Sequence, residues 1–260
     1  MRIALGLSYN GSGYEGWQSQ LSGNTIQDRL EHALGQFTAQ QFRVNCAGRT
    51  DAGVHGLMQV VHFDTALDRD EASWVRGTNA FLPRDIAVQW ARHMPDDFHS
   101  RGSAMARRYA YVVLESPVRP SVEAGRVGWV YRPMDGAAIE RAAAHLVGEH
   151  DFSSFRAAQC QAKSPVKTLT KISISRRGPY WRFEFEANAF LHHMIRNIMG
   201  CLLSVGQGAH NPEWILEVLA ARNRDAAAPT FSPDGLYFMG PVYEDRYALP
   251  ASAPAYDWLP

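Results

Sequence analysis

Apolar and polar positions along this chain change in short bursts. Residues 2–9, RIALGLSY, form one such burst, as do 43–47, 59–64 and 87–91, and all have the length of strands rather than helices. Between the first two the period changes. Ile26, Leu30, Ala33, Leu34 and Phe37 recur at helical spacing with polar residues between them, and Thr25 stands where it can cap the first turn. A second helix is expected over 71–80, ending before Pro83.

The second half repeats this order. The pattern predicts a strand over 108–114, a helix over 136–147 and strands over 169–175 and 181–187. Two strand-helix-strand-strand units point to an α+β protein with two similar α/β subdomains joined around a central mixed, mainly antiparallel sheet. The expected division is 1–97 and 98–260. A long helix is expected over 188–205, with Leu191, Ile195, Ile198 and Leu202 as one stripe and Met194, Met199 and Leu203 beside it. Arg196 falls in the middle of that apolar surface. A guanidinium there needs a carboxylate partner from elsewhere in the fold, because an unpaired buried charge costs several kcal/mol.

Composition narrows the class further. The 260 residues are 46% hydrophobic and 20% charged, ordinary values for a globular protein. The first residues read as a strand and a turn rather than a secretion signal, and no apolar run reaches the roughly 18 residues of a membrane span, so a cytoplasmic protein is expected. Cys46, Cys160 and Cys201 are odd in number and far apart. They indicate neither a disulfide framework nor a zinc site, and are expected as small buried residues. Net charge is zero, yet the stretch 152–183 carries Arg156, Lys163, Lys167, Lys171, Arg176, Arg177 and Arg182 without one acid. Such a segregation suits a face that follows a phosphate backbone.

The segment CAGRTDAGVHG over 46–56 holds the most chemistry. Here a strand ends in a glycine-rich loop that presents Asp51 beside Arg49, and glycine lets backbone approach a ligand closely. The run GRTDAGVHG, followed by QVVHF, closely resembles the active-site segment of the tRNA pseudouridine synthase A family. GYEGWQ, PDDFHSR, ARRYAY, DFSSFRA and NAFLHHMIRNIMG match in the same order over nearly the whole chain.

That resemblance implies a pseudouridine synthase fold and an isomerase that breaks the N1–C1′ bond of a tRNA uridine and rejoins the uracil through C5. The implied substrate is the anticodon stem-loop, roughly nucleotides 38 to 40 by family analogy. The implied partners are tRNA, through its anticodon stem-loop and elbow, and a second copy in a homodimer. Nothing is oxidised or added, so no cofactor and no metal is expected. Asp51 would be the catalytic carboxylate, ionised at neutral pH, and could either attack C1′ or remove the C2′ proton. By the same likeness Arg196 would hold Asp51 ionised, Arg49 would contact the phosphate of the displaced nucleotide, and Tyr109 would pack on the uracil. In a strand, Arg107, Tyr109 and Tyr111 share one face, which would set an aromatic beside a phosphate-binding group.

Other residues are read as structural. His192 and His193, adjacent on the expected helix, would point in different directions, unlike a zinc pair. His55 and His62 are expected as satisfied structural histidines. Asn10 stands where the family usually has Asp, and Lys163 and Lys167 where arginine is common; Asn can make the same turn, whereas Lys loses the fork geometry. Two other classes compete: an RNA-binding module without chemistry, and an aspartate-dependent hydrolase using Asp64 or Asp97 as its second acid.

Overall fold

The computed structural model describes residues 1–250; residues 251–260 of the expected second part lie outside the described residues. The described chain forms two compact units, one comprising Met1–Arg108 and residues 237–250, the other Tyr109–Leu236. Both combine helices with mainly antiparallel strands, the α+β class that the patterning implies.

In the first unit β1 (Arg2–Tyr9) lies between β3 (His55–Asp64) and β4 (Ile86–Met94), antiparallel to both. The expected strand over 43–47 shrinks to β2 (Asn45–Cys46), which pairs with the far end of β3. β10 (Leu236–Val242) returns to run parallel to β3, with Tyr237 opposite His55. Nothing in its short pattern announced a strand of this sheet. Two helices complete the unit, α1 (Ile26–Thr38) and α2 (Glu71–Asn79). Thr25 caps α1 by accepting from Asp28 N, and Asp70 does the same for α2 through Ser73 N, so each helix begins where a side chain replaces a missing backbone partner. Their apolar stripes close over β1: Leu30, Leu34 and Trp74 are fully buried against Ile3, Leu5 and Leu7.

The second unit is built on β5 (Ala106–Glu115), β8 (Val166–Arg177) and β9 (Tyr180–Ala187), with short strands β6 (Gly128–Val130) on β5 and β7 (Gly148–Asp151) on β8. β9 alternates strictly, Trp181, Phe183, Phe185 and Ala187 inward, which is why its sequence was legible. α3 (Gly136–Ala144) starts at an Asp135 cap. α4 (Met194–Gly206) carries the wide apolar surface that its stripes predict, and α5 (Trp214–Ala221) follows.

The expected helix over 188–205 needs correcting at its start. Residues 188–193 are not helical, and His193 enters α4 in the left-handed region, φ 61°. Arg196 therefore lies in the first turn of α4, half-buried, instead of in the middle of a long helix. Of the three cysteines, all free, only Cys201 is buried; Cys46 and Cys160 are partly exposed.

Candidate functional site

The loop carrying Asp51 is fixed by backbone contacts before any side chain is counted. Val54 N donates to Asp51 O at 3.1 Å, closing the turn; Trp17 N donates to Thr50 O at 3.0 Å and Gly53 N to Tyr14 O at 3.3 Å, tying the turn to the GYEGWQ segment. Gly16 makes this approach possible. Its φ is +92°, and a Cβ there would stand 2.7 Å from Thr50 O and 3.0 Å from Asp51 C. Gly11 is as close on the other side, where a Cβ would lie 1.9 Å from Val54 O. The glycines around the loop serve close packing of backbone on backbone, the reason glycine suits such a loop.

Side chains then lock the frame. Tyr9 Oη and Thr50 Oγ1 lie 2.9 Å apart in the interior. Burial holds the Tyr9 phenol well above its ordinary range, so it stays neutral. Gln59, fully buried, clamps Gly48 by donating to its carbonyl at 2.6 Å and accepting from its N–H at 3.4 Å. Sequence reasoning passed over Gln59, although it opens the QVVHF run. His55 Nδ1 accepts from Gly11 N at 3.1 Å while its ring stacks on Tyr237, and Asn10 accepts from Ser12 N in the turn expected of it. Out of this frame Asp51 projects half-buried, with Arg49 exposed two residues before it.

Arg107 does not offer its guanidinium to a phosphate in the way its strand position suggests. It donates to the carbonyls of Ala47, Arg101 and Ala104, pinning the strand end that leads into the loop. Asp64 and Asp97, the acids a hydrolase would need, are engaged by Arg2 at 2.8 Å and Arg246 at 2.8 Å. His62 is buried against Ser100, and its ring is pushed down to about 4, first by burial and then by His99 and Arg2. It is a neutral structural histidine, as expected.

In the second unit Tyr109 is buried and meets Phe190 edge-on, centroids 5.2 Å apart. Tyr111, two residues on, is fully buried and donates its hydroxyl to Ser232 O. Arg196 donates from Nε to Phe231 O at 2.9 Å, and Phe231 N returns a bond to Arg196 O at 3.1 Å. A cation in the first turn gains nothing from the helix dipole, which favours anions there; together they concentrate positive potential suited to a carboxylate or phosphate. Asn197, fully buried beside it, donates to Phe155 O at 2.8 Å and accepts from Thr230 Oγ1 at 2.6 Å and Arg224 at 3.2 Å. The DFSSFRA and NAFLHHMIRNIMG segments are thereby held together. His192 and His193 do not diverge as two residues on a helix would: ahead of α4 their rings lie 4.0 Å apart.

Comparison with known proteins bears on what this frame serves. A family described as tRNA pseudouridine synthase matches residues 7–101 and 142–244. A "tRNA pseudouridine synthase A" of Polaromonas sp. (strain JS666 / ATCC BAA-500) is 78% identical over 264 residues, covering 100% of both chains. Proteins of the same name from Delftia acidovorans and Methylibium petroleiphilum are 67% and 64% identical, again over 100% of both chains. The chain belongs to the tRNA pseudouridine synthase family.

Asp51, Arg49 and Arg196 fall inside the two stretches that match the family, whereas Tyr109 lies between them, in a part of the chain that the full-length relatives also cover. Much of the basic run expected to mark an RNA face is engaged within the fold. Arg176 pairs with Glu115 at 3.0 Å and covers Trp181, and Arg182 pairs with Glu184 at 2.7 Å. Arg156 donates to the carbonyls of Cys160 and Ala162, and Lys167 to those of Ser164 and Val166. A run without acids in sequence takes them from segments outside it, or turns its cations onto its own carbonyls. No helix among the described residues is long and apolar enough to cross a membrane.

Proposed function

We propose that this chain isomerises uridine to pseudouridine in the anticodon stem-loop of tRNA, roughly at nucleotides 38 to 40, with Asp51 as the carboxylate that acts on the sugar. The N1–C1′ bond breaks, the uracil turns while bound, the C5–C1′ bond forms, and the C5 proton leaves as N1 gains one. The process is redox-neutral, so a carboxylate that is already ionised supplies what the sugar carbon needs, by attack at C1′ or by removal of the C2′ proton. The observation that carries this reading is the loop itself: Asp51 stands half-buried on a turn tied down by backbone bonds on both flanks, the rigid presentation that a reacting group requires.

In this reading Tyr109 receives the uracil, its ring already held by Phe190. Arg49, exposed beside Asp51, takes a phosphate of the displaced nucleotide, and Arg196 contributes the guanidinium that keeps the reacting carboxylate ionised. The first part of the chain, 1–97, carries the carboxylate, and 98–260 carries Tyr109, the basic loop and Arg196. The enzyme works as a homodimer in the cytoplasm and grips the tRNA elbow as well as the anticodon arm.

Tritium release from C5-labelled uridine in unmodified tRNA tests the proposal. Wild type releases label; Asp51→Ala releases none, while its tRNA affinity stays within a few fold. Undiminished release by Asp51→Ala removes the carboxylate assignment, and absence of release by wild type with tRNA still bound leaves a binding module.

A further inference from the structure

The connection from β5 to α3 displays large apolar side chains to solvent. Val118 is 70% exposed, Val122 80%, Trp129 37% and Tyr131 56%. These are not loose. β6 pairs in parallel with the end of β5, setting Trp129 beside Leu114, and Trp129 Nε1 donates to Ser116 O at 2.8 Å. The Trp129 and Tyr131 ring centroids are 6.3 Å apart, and the Arg132 guanidinium lies 5.2 Å from the centre of the Tyr131 ring. The surface is an ordered pair of aromatic rings with a cation on it.

Two of its arginines have no ion-pair partner. Arg119 and Arg132 are exposed, and neither lies in ion-pair range of a carboxylate among the described residues. Every acid between 115 and 135 is already engaged: Glu115 by Met134 N, Arg176 and Trp181, Glu123 by the Tyr180 hydroxyl, and Asp135 as the cap of α3. Aromatic faces next to uncompensated arginines match a polyanion that itself carries flat rings.

We propose that Trp129, Tyr131, Arg119 and Arg132 form an RNA-contact surface separate from the reacting site, taking the tRNA substrate at nucleotides away from the target uridine. This rests on the reading of the chain as an enzyme that acts on tRNA. The rings stack on bases or sugars, and the arginines take phosphates.

The test is tRNA binding by the full chain across a salt series, with tritium release measured in parallel. Trp129→Ala and Tyr131→Ala each weaken tRNA binding about tenfold at fixed salt, with the single-turnover rate at saturating enzyme unchanged. Arg119→Gln/Arg132→Gln, which leaves every backbone bond in place, lowers the slope of log affinity against log salt by about one to two. Thermal melts of each variant identify any that fail to fold, and the arginine pair then decides. Unchanged affinity and slope in folded variants overturn the proposal. So does light scattering in which Trp129→Ala dissociates an oligomer whose protomers bind tRNA as tightly as wild type, since the patch would then be a protein interface. A wild type that binds no tRNA overturns this proposal and the proposed function together; a wild type that binds and reacts, beside unaffected variants, overturns this one alone.

Discussion

Replacing Gly16 by alanine probes how firmly the backbone presents Asp51. Two costs add. A left-handed φ of +92° charges a residue with a Cβ about 1–2 kcal/mol. The Cβ would also meet Thr50 O at 2.7 Å, Ala52 N at 3.0 Å and Asp51 C at 3.0 Å. All three are backbone atoms, so no side chain can rotate away and the loop itself must retreat by several tenths of an ångström. A displacement of 1 Å costs a reaction about 10²-fold, so a shift of this size lowers the single-turnover rate about tenfold. Stability by urea denaturation falls about 2 kcal/mol. Gly23→Ala supplies the control: φ is +66° and no atom lies within 4 Å of its Cβ, so it carries the conformational cost without the collision. Its stability falls by about 1 kcal/mol and its rate stays at the wild-type value. Equal rates for Gly16→Ala and Gly23→Ala would mean that the Gly16 contact does not hold Asp51 in register, and the reasoning would fail.

Two further outcomes follow from buried groups outside the reacting loop. His62, held down to about 4 against an ordinary value near 6.5, stays neutral in the fold while the unfolded chain protonates first as pH falls; its contribution is complete above about 6.5 and is lost between there and 4. Wild type should therefore lose about 2 kcal/mol from this site between pH 7 and pH 5, and urea titrations at both values should show the loss shrink in His62→Gln; an identical pH dependence in that variant would contradict the assignment. Asn197→Ala strands the buried Phe155 O, while Arg224 and the exposed Thr230 hydroxyl keep their bond to each other at 3.0 Å. A loss of about 2 kcal/mol in urea denaturation is expected, and a loss under about 1 kcal/mol would show that water or a neighbour replaces the amide.

Much of this was readable from the chain alone, because β1, α1, α2, β9 and the stripes of α4 are specified by local periodicity and by caps such as Thr25 and Asp70. The Asp51 loop was readable too, since its glycines, its acid and its arginine are contiguous. What only tertiary structure decided depends on residues far apart in sequence. The left-handed His193 ends the non-helical stretch and moves Arg196 to a first turn, although every residue of 188–193 is compatible with helix. β10 is a strand because β3 offers it a parallel edge some 180 residues earlier. Arg107 spends its guanidinium on three carbonyls, and Arg176 finds Glu115 sixty-one positions away. Charge and hydrogen-bonding capacity are written in the sequence, but their partners are chosen by distance in space, which sequence does not contain.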